Sequence, residues 1–151
     1  MNQAKNNGFS LVEVLVFVTI LSIFFVVAAT ITTASLRNMK INEHKILATR
    51  YGEELLEWLR GEKEADWNNF VNRSSINGTT YCFPNSPINN WPTTTGNCSS
   101  FNGLNPSIYK RELTLFTATG GNQVNIFINV SWKEGSDTYS VPINTVFTIW
   151  E

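Results

Sequence analysis

At 151 residues and 17.0 kDa the chain has room for one domain and not for two sizeable cores. Eleven Lys and Arg against twelve Asp and Glu leave a net charge of −1, so there is no basic field for gripping a phosphate backbone. With 42% apolar residues and five Trp it is not a highly charged disordered chain, and two Cys with one His are too few for a four-ligand Cys/His metal site. The charges are strongly segregated. None occurs from Val14 to Leu36, they crowd between Arg37 and Arg73, and none follows from Ser74 to Tyr109.

The first uncharged stretch begins VLVFVTILSIFFVVAA, with only Thr19 and Ser22 polar between Val14 and Ala29. Extended to Thr33 it gives about 20 residues without Pro or Gly, enough at ~1.5 Å per residue to span a ~30 Å hydrocarbon core. Three readings meet this pattern. One is a secretory signal peptide with Lys5 in its basic region and cleavage near Ala29 or Ala34. Another is a plain single-span anchor. The third rests on the residues just before the run, Gly8-Phe9-Ser10-Leu11-Val12-Glu13. A carboxylate inside a membrane helix costs up to about 3 kcal/mol, less near the interface, and marks a functional position. Neither of the first two readings accounts for Glu13.

A short polar leader ending in Gly, then an aromatic residue, Ser or Thr, two aliphatics, Glu and an unbroken apolar helix resembles the N-terminus of type IV prepilins and type II secretion pseudopilins. The resemblance covers about 25 residues and implies that a membrane-embedded prepilin peptidase cuts Gly8–Phe9 on the cytoplasmic side. It implies an N-methylated Phe9 as the new N-terminus, and pairing of Glu13 with the N-terminal amine of a neighbouring subunit. An unpaired carboxylate and an unpaired ammonium are each costly in a low-dielectric bundle, so matching them selects the helix stagger rather than adding net stability. The partners so implied are other pilin subunits, the peptidase and an inner-membrane assembly platform, with no cofactor and no enzymatic activity. The resemblance also implies a single-pass inner-membrane precursor with its head outside the cytoplasm, which later joins a cell-surface or periplasmic filament. Positive-inside counting opposes this orientation, with Lys5 alone in the leader against Arg37, Lys40 and Lys45 beyond the span. The cleavage-like sequence and the cysteines both favour a cytoplasmic leader.

From Ala34 the apolar positions Ile41, Leu47/Ala48, Tyr51, Leu55 and Trp58/Leu59 step by three or four, one stripe of an amphipathic helix. Lys40 with Glu43, Arg50 with Glu53 or Glu54, and Glu57 with Arg60 have helical neighbour spacing. Gly61 suits a C-cap, which makes 9–60 one helix of about 52 residues, roughly 78 Å. A solvated coiled-coil stalk is the alternative. The large aromatics, and Gly52 in mid-helix where it costs about 1 kcal/mol against Ala, favour close packing on a head. Absence of a helix-breaking Pro from the apolar half resembles minor pilins and pseudopilins more than major pilins.

Residues 68–109 hold four of the five prolines and much Asn, Ser and Thr, and read as a long irregular connection. Cys82 and Cys98 would staple it, worth on the order of 3 kcal/mol in the chain-entropy model, and such a bond needs an extracytoplasmic compartment. Two free thiols or a redox pair are the alternatives, though no Cys-X-X-Cys spacing supports the latter. Trp91 and Phe101 near the staple fit loop core, or else an exposed binding surface.

Val124, Ile126, Ile128, Val130 and Trp132 alternate with more polar residues; Tyr139, Val141, Ile143, Phe147 and Ile149 repeat the device, and Leu113, Leu115 and Thr117 mark another strand. The expected fold is α+β and pilin-like: a leader 1–8, a membrane or filament-core helix 9–33, its amphipathic half 34–61, a stapled loop region 62–109, and a three-stranded antiparallel sheet 110–151. Pro142 places the last strand at an edge, and the loop region leaves room for short strands ahead of it.

Enzymatic signatures are poor. Ser107 and Lys110 fit Ser-X-X-Lys by chance, His44 and the carboxylates of Glu53–Asp66 read as a solvated helix face, and no metal is expected. Beyond Ala34 the charges nearly balance, so nucleic-acid binding has no support. The function expected is a structural subunit, a minor pilin, of a type IV pilus-like filament. A type II secretion pseudopilin and a non-polymerising membrane-anchored or secreted binding domain are the alternatives.

Overall fold

The computed structural model describes residues 10–101, 103–118 and 120–150. The chain separates into two compact units, Met1–Lys40 and Ile41–Glu151. A single helix, α1 (Leu11–Ala65), supplies the described regular structure of the first and begins the second. It is followed by α2 (Trp67–Asn72) and strands β1 (Thr79–Cys82), β2 (Tyr109–Thr117), β3 (Gln123–Glu134) and β4 (Asp137–Thr148). The architecture is α+β, with a long N-terminal helix packed on an antiparallel sheet in the order β1-β2-β3-β4.

The sheet has four strands rather than the expected three. Thr79–Cys82 pairs with Leu115–Glu112 through only four residues, too short to show a period among its polar neighbours. The helix also runs beyond Gly61, which lies inside it with open space around its α-carbon. Two contacts extend the last turn: Glu62 Oε2 accepts from Trp91 Nε1 at 2.6 Å, and Lys63 Nζ lies 5.4 Å from the Phe147 ring centroid. Asp66 then starts α2, its Oδ1 accepting from the Asn69 amide at 3.0 Å.

Within the second unit, Ala48, Gly52, Leu55 and Leu59 form the buried stripe of α1. Facing it are alternate residues of β2 and β3: Tyr109, Arg111, Leu113 and Leu115, then Val124, Ile126, Ile128, Val130 and Trp132. The helix stripe therefore packs on a head and is not a free coiled-coil seam. Helix and sheet come close at Gly52. A β-carbon there would stand 2.5 Å from Ile143 Cδ1 and 3.7 Å from Val130 Cγ2. Trp91 belongs to the core, with ring contacts to Trp58, Tyr81, Phe83 and Phe70.

β4 is an edge strand, as Pro142 requires. Gly135 and Ser136 form a two-residue loop between the paired Glu134 and Asp137, with Gly135 at φ +63°. Alternation from that closing pair puts Pro142 in a non-hydrogen-bonded pair with Asn129, so its ring nitrogen faces the open edge. The opposite edge is closed: Tyr81 bridges to Thr95, and the Gly96 amide donates to Thr80 O at 2.7 Å.

Candidate functional site

Chemistry concentrates first at the start of α1. Ser10 precedes the helix, and its carbonyl accepts from the Glu13 and Val14 amides at 3.0 and 3.2 Å. Glu13 stands in the first turn, where a carboxylate complements the helix dipole. Ser10 and Glu13 also have the spacing of a capping box, which gives this acid a local role at the helix start. Gly8 and Phe9 lie outside the described residues.

From Leu11 to Thr33 the side chains are almost all exposed and mostly apolar, and α1 is the one described helix long and apolar enough to cross a bilayer. The hydroxyls in this stretch turn inward on the helix. Thr19 donates to Val16 O and Ser22 to Val18 O at 2.7 Å, while Thr30 and Thr32 donate to Val27 O and Ala28 O at 2.8 Å. Each hydroxyl proton is satisfied within the helix, so the surface offered to hydrocarbon stays effectively apolar through Thr33.

The second unit holds two polar networks that helix-face spacing alone had assigned to solvent. His44 is not a solvated surface group. Its Nδ1 lies 2.7 Å from the Tyr109 hydroxyl and its Nε2 3.3 Å from Glu134 Oε2, with the ring largely buried. A carboxylate, an imidazole and a hydroxyl in line resemble a nucleophile relay, but Tyr109 is fully buried in the core. The network instead ties the helix to β2 and β3.

Burial, reinforced by the charges of Tyr51, Glu43 and Glu134, pushes the Tyr109 hydroxyl from 10.0 up to about 12. Burial also raises Tyr81, with Arg73 opposing. The folded chain thus holds the Tyr109 proton where the unfolded chain has released it. That stabilisation is whole below pH 10 and drains away as pH rises to about 12. Tyr109→Phe should flatten this alkaline loss, read as the urea midpoint against pH, whereas an unchanged slope above pH 10 would refute the assignment to Tyr109.

Glu54 is likewise no solvated carboxylate. Its Oε2 accepts from Nη1 of the fully buried Arg111 at 2.9 Å, and both of its oxygens accept from Ser86 Oγ at 3.0 Å. Arg111 also donates to the carbonyls of Tyr51 (2.8 Å), Asn85 (2.5 Å) and Phe83 (3.4 Å). Burial pushes the guanidinium below its ordinary range, and the Glu54 hydrogen bond and charge oppose that. Arg111 sits on the apolar phase of β2, which was the signal available in the sequence; His44 likewise lies on the stripe of Ile41 and Ala48. Cys82 and Cys98 are bridged. The Cys98 amide donates to Glu112 Oε1 at 2.9 Å, and Lys110 Nζ reaches the same oxygen at 3.3 Å. This pairing places Lys110 on the outer face of the sheet, while Ser107 lies in the preceding turn. Among the described residues no group of three or more His, Cys, Asp or Glu is placed to hold a metal ion.

Residues 3–29 match the model of the prokaryotic N-terminal methylation motif. The N-terminus is of the prepilin type. No curated protein and no solved structure is significantly similar to the chain. The prepilin-type motif marks a structural, pilin-like protein and carries with it processing by a prepilin peptidase and assembly with other pilins. Joined to an apolar N-terminal helix it fits a protein anchored in the inner membrane.

Proposed function

We propose that the chain is a minor pilin of a type IV pilus-like filament. In this reading it is cut between Gly8 and Phe9, methylated at Phe9 and held in the filament by its apolar helix, with the head outside the cytoplasm. The observation carrying the proposal is the methylation motif at residues 3–29, whose greater part is the start of a helix with an apolar, internally satisfied surface. The disulfide between Cys82 and Cys98 supports an extracytoplasmic head. The absence of Pro from the apolar half favours a minor pilin, and equally a type II secretion pseudopilin, which is the second reading.

Mass spectrometry of the mature N-terminus tests the first step. A chain starting at methylated Phe9 supports it, while an intact Met1 or a start after Ala29 or Ala34 refutes it. Two variants then separate the roles open to Glu13. Glu13→Gln keeps a capping-box side chain but removes the charge, and Glu13→Ala removes both. If the charge fixes register with a neighbouring amine, both variants insert in the membrane and incorporate into filaments at least about tenfold less, the loss of ~1.4 kcal/mol. Normal incorporation of Glu13→Gln would reduce Glu13 to a helix cap.

A further inference from the structure

The stapled segment between β1 and β2 is not only a connection. Beside the disulfide it encloses an open cavity of about 500 Å³, within the range of small-molecule sites. None of its lining residues carries a charge. Its rim presents the exposed carboxamides of Asn89, Asn90 and Asn97 and the hydroxyl of Thr94, with Pro92 as apolar surface, while Trp91 backs it from the core with Arg73 over its ring at 4.6 Å.

The walls are fixed independently of any ligand. Trp91 is held by its indole N–H on Glu62 and by edge contacts with Trp58 and Phe83, at 5.0 and 5.8 Å between centroids. Arg111 grips the carbonyls of Phe83 and Asn85 on one side, and the Cys82–Cys98 bridge closes the other. A cavity so fixed loses little conformational freedom on binding.

We propose that this cavity binds a neutral oligosaccharide. The lining itself is neutral, and the charges beside it, Arg73 over the Trp91 ring at 4.6 Å and Glu62 on the indole N–H, are engaged with Trp91, so a charged ligand would give up hydration with little counter-charge to replace it. Carboxamides and hydroxyls both donate and accept, as the vicinal hydroxyls of a sugar do, and Pro92 offers apolar surface to the C–H face of a pyranose ring. An extended peptide finds no strand to join, because the β1 edge is already closed by Thr95 and Gly96. The proposal goes beyond the filament reading and does not depend on it.

The test uses the full chain in lipid nanodiscs, which avoids detergents with sugar headgroups. Maltohexaose, cellohexaose and chitohexaose are titrated by calorimetry, beside a sulfated heparin hexasaccharide and a neutral Gly/Ser/Asn decapeptide. At least one neutral sugar is expected to bind saturably, and the sulfated sugar and the peptide at least about tenfold more weakly. The double variant Asn90→Ala/Asn97→Ala alters exposed rim positions and should weaken binding at least about tenfold with the urea midpoint unchanged. Failure of all three neutral sugars up to about 10 mM, equal binding of the peptide or the sulfated sugar, or indifference to the double variant would overturn the proposal.

Discussion

Arg111→Leu is expected to destabilise the head by about 3–5 kcal/mol, the range for removing one partner of a buried ion pair. The reason lies in what the guanidinium serves. One fully buried cation satisfies carbonyls from α1 and from the segment after β1 as well as the Glu54 carboxylate. Leucine fills part of the volume, takes a donor from each of the three carbonyls and leaves Glu54 with Ser86 alone of these two donors. Glu54→Gln should cost less, about 1–3 kcal/mol, because the amide can still accept and Arg111 keeps its carbonyls. Urea unfolding of the membrane-reconstituted chain, followed by tryptophan fluorescence, measures both. A loss below about 1 kcal/mol for Arg111→Leu would show that the cluster is not a structural tie.

Gly52→Leu is expected to cost about 3 kcal/mol, through overpacking between α1 and the sheet. Even the first carbon of a side chain meets Ile143 Cδ1 at 2.5 Å, and Val130 stands behind it. Gly52→Ala is a finer probe. Alanine gains about 1 kcal/mol of helix propensity, and the methyl it strikes is the mobile end of Ile143. Ile143→Val alone should lose about 1 kcal/mol, yet in the Gly52→Ala background it should lose nothing or gain stability, since it removes the atom in the way. Strict additivity of the two changes in the same urea assay would contradict the close approach.

Much of the fold was legible because burial on one face writes a period into the chain. The stripe through Ala48, Leu55 and Leu59, the alternation from Val124 to Trp132, and the edge position of Pro142 are all of this kind. β1 was not legible: four residues amid Asn, Ser and Thr show no period, and their pairing is decided by β2, thirty residues away. The last helical turn was hidden by Gly61, whose preference for a cap is outweighed by Glu62 on Trp91. The methylation motif could be read directly, because a peptidase recognises it as a linear sequence. The Arg111 and His44 networks were harder. A charge on an apolar phase signals burial, but its partners, Glu54 and Glu134, come from elements the sequence does not bring together.

From Thr138 to Trp150 the outermost strand and its continuation carry no charge. Any assembly that sets many heads side by side raises the local concentration of such edges and invites them to zip together into a shared sheet. Pro142 interrupts that reaction midway. Its nitrogen, turned outward with no hydrogen to give, limits an intruding strand to a few residues on either side. One ring thus lets a neutral surface be crowded without fusing, and leaves cohesion between copies to other parts of the molecule.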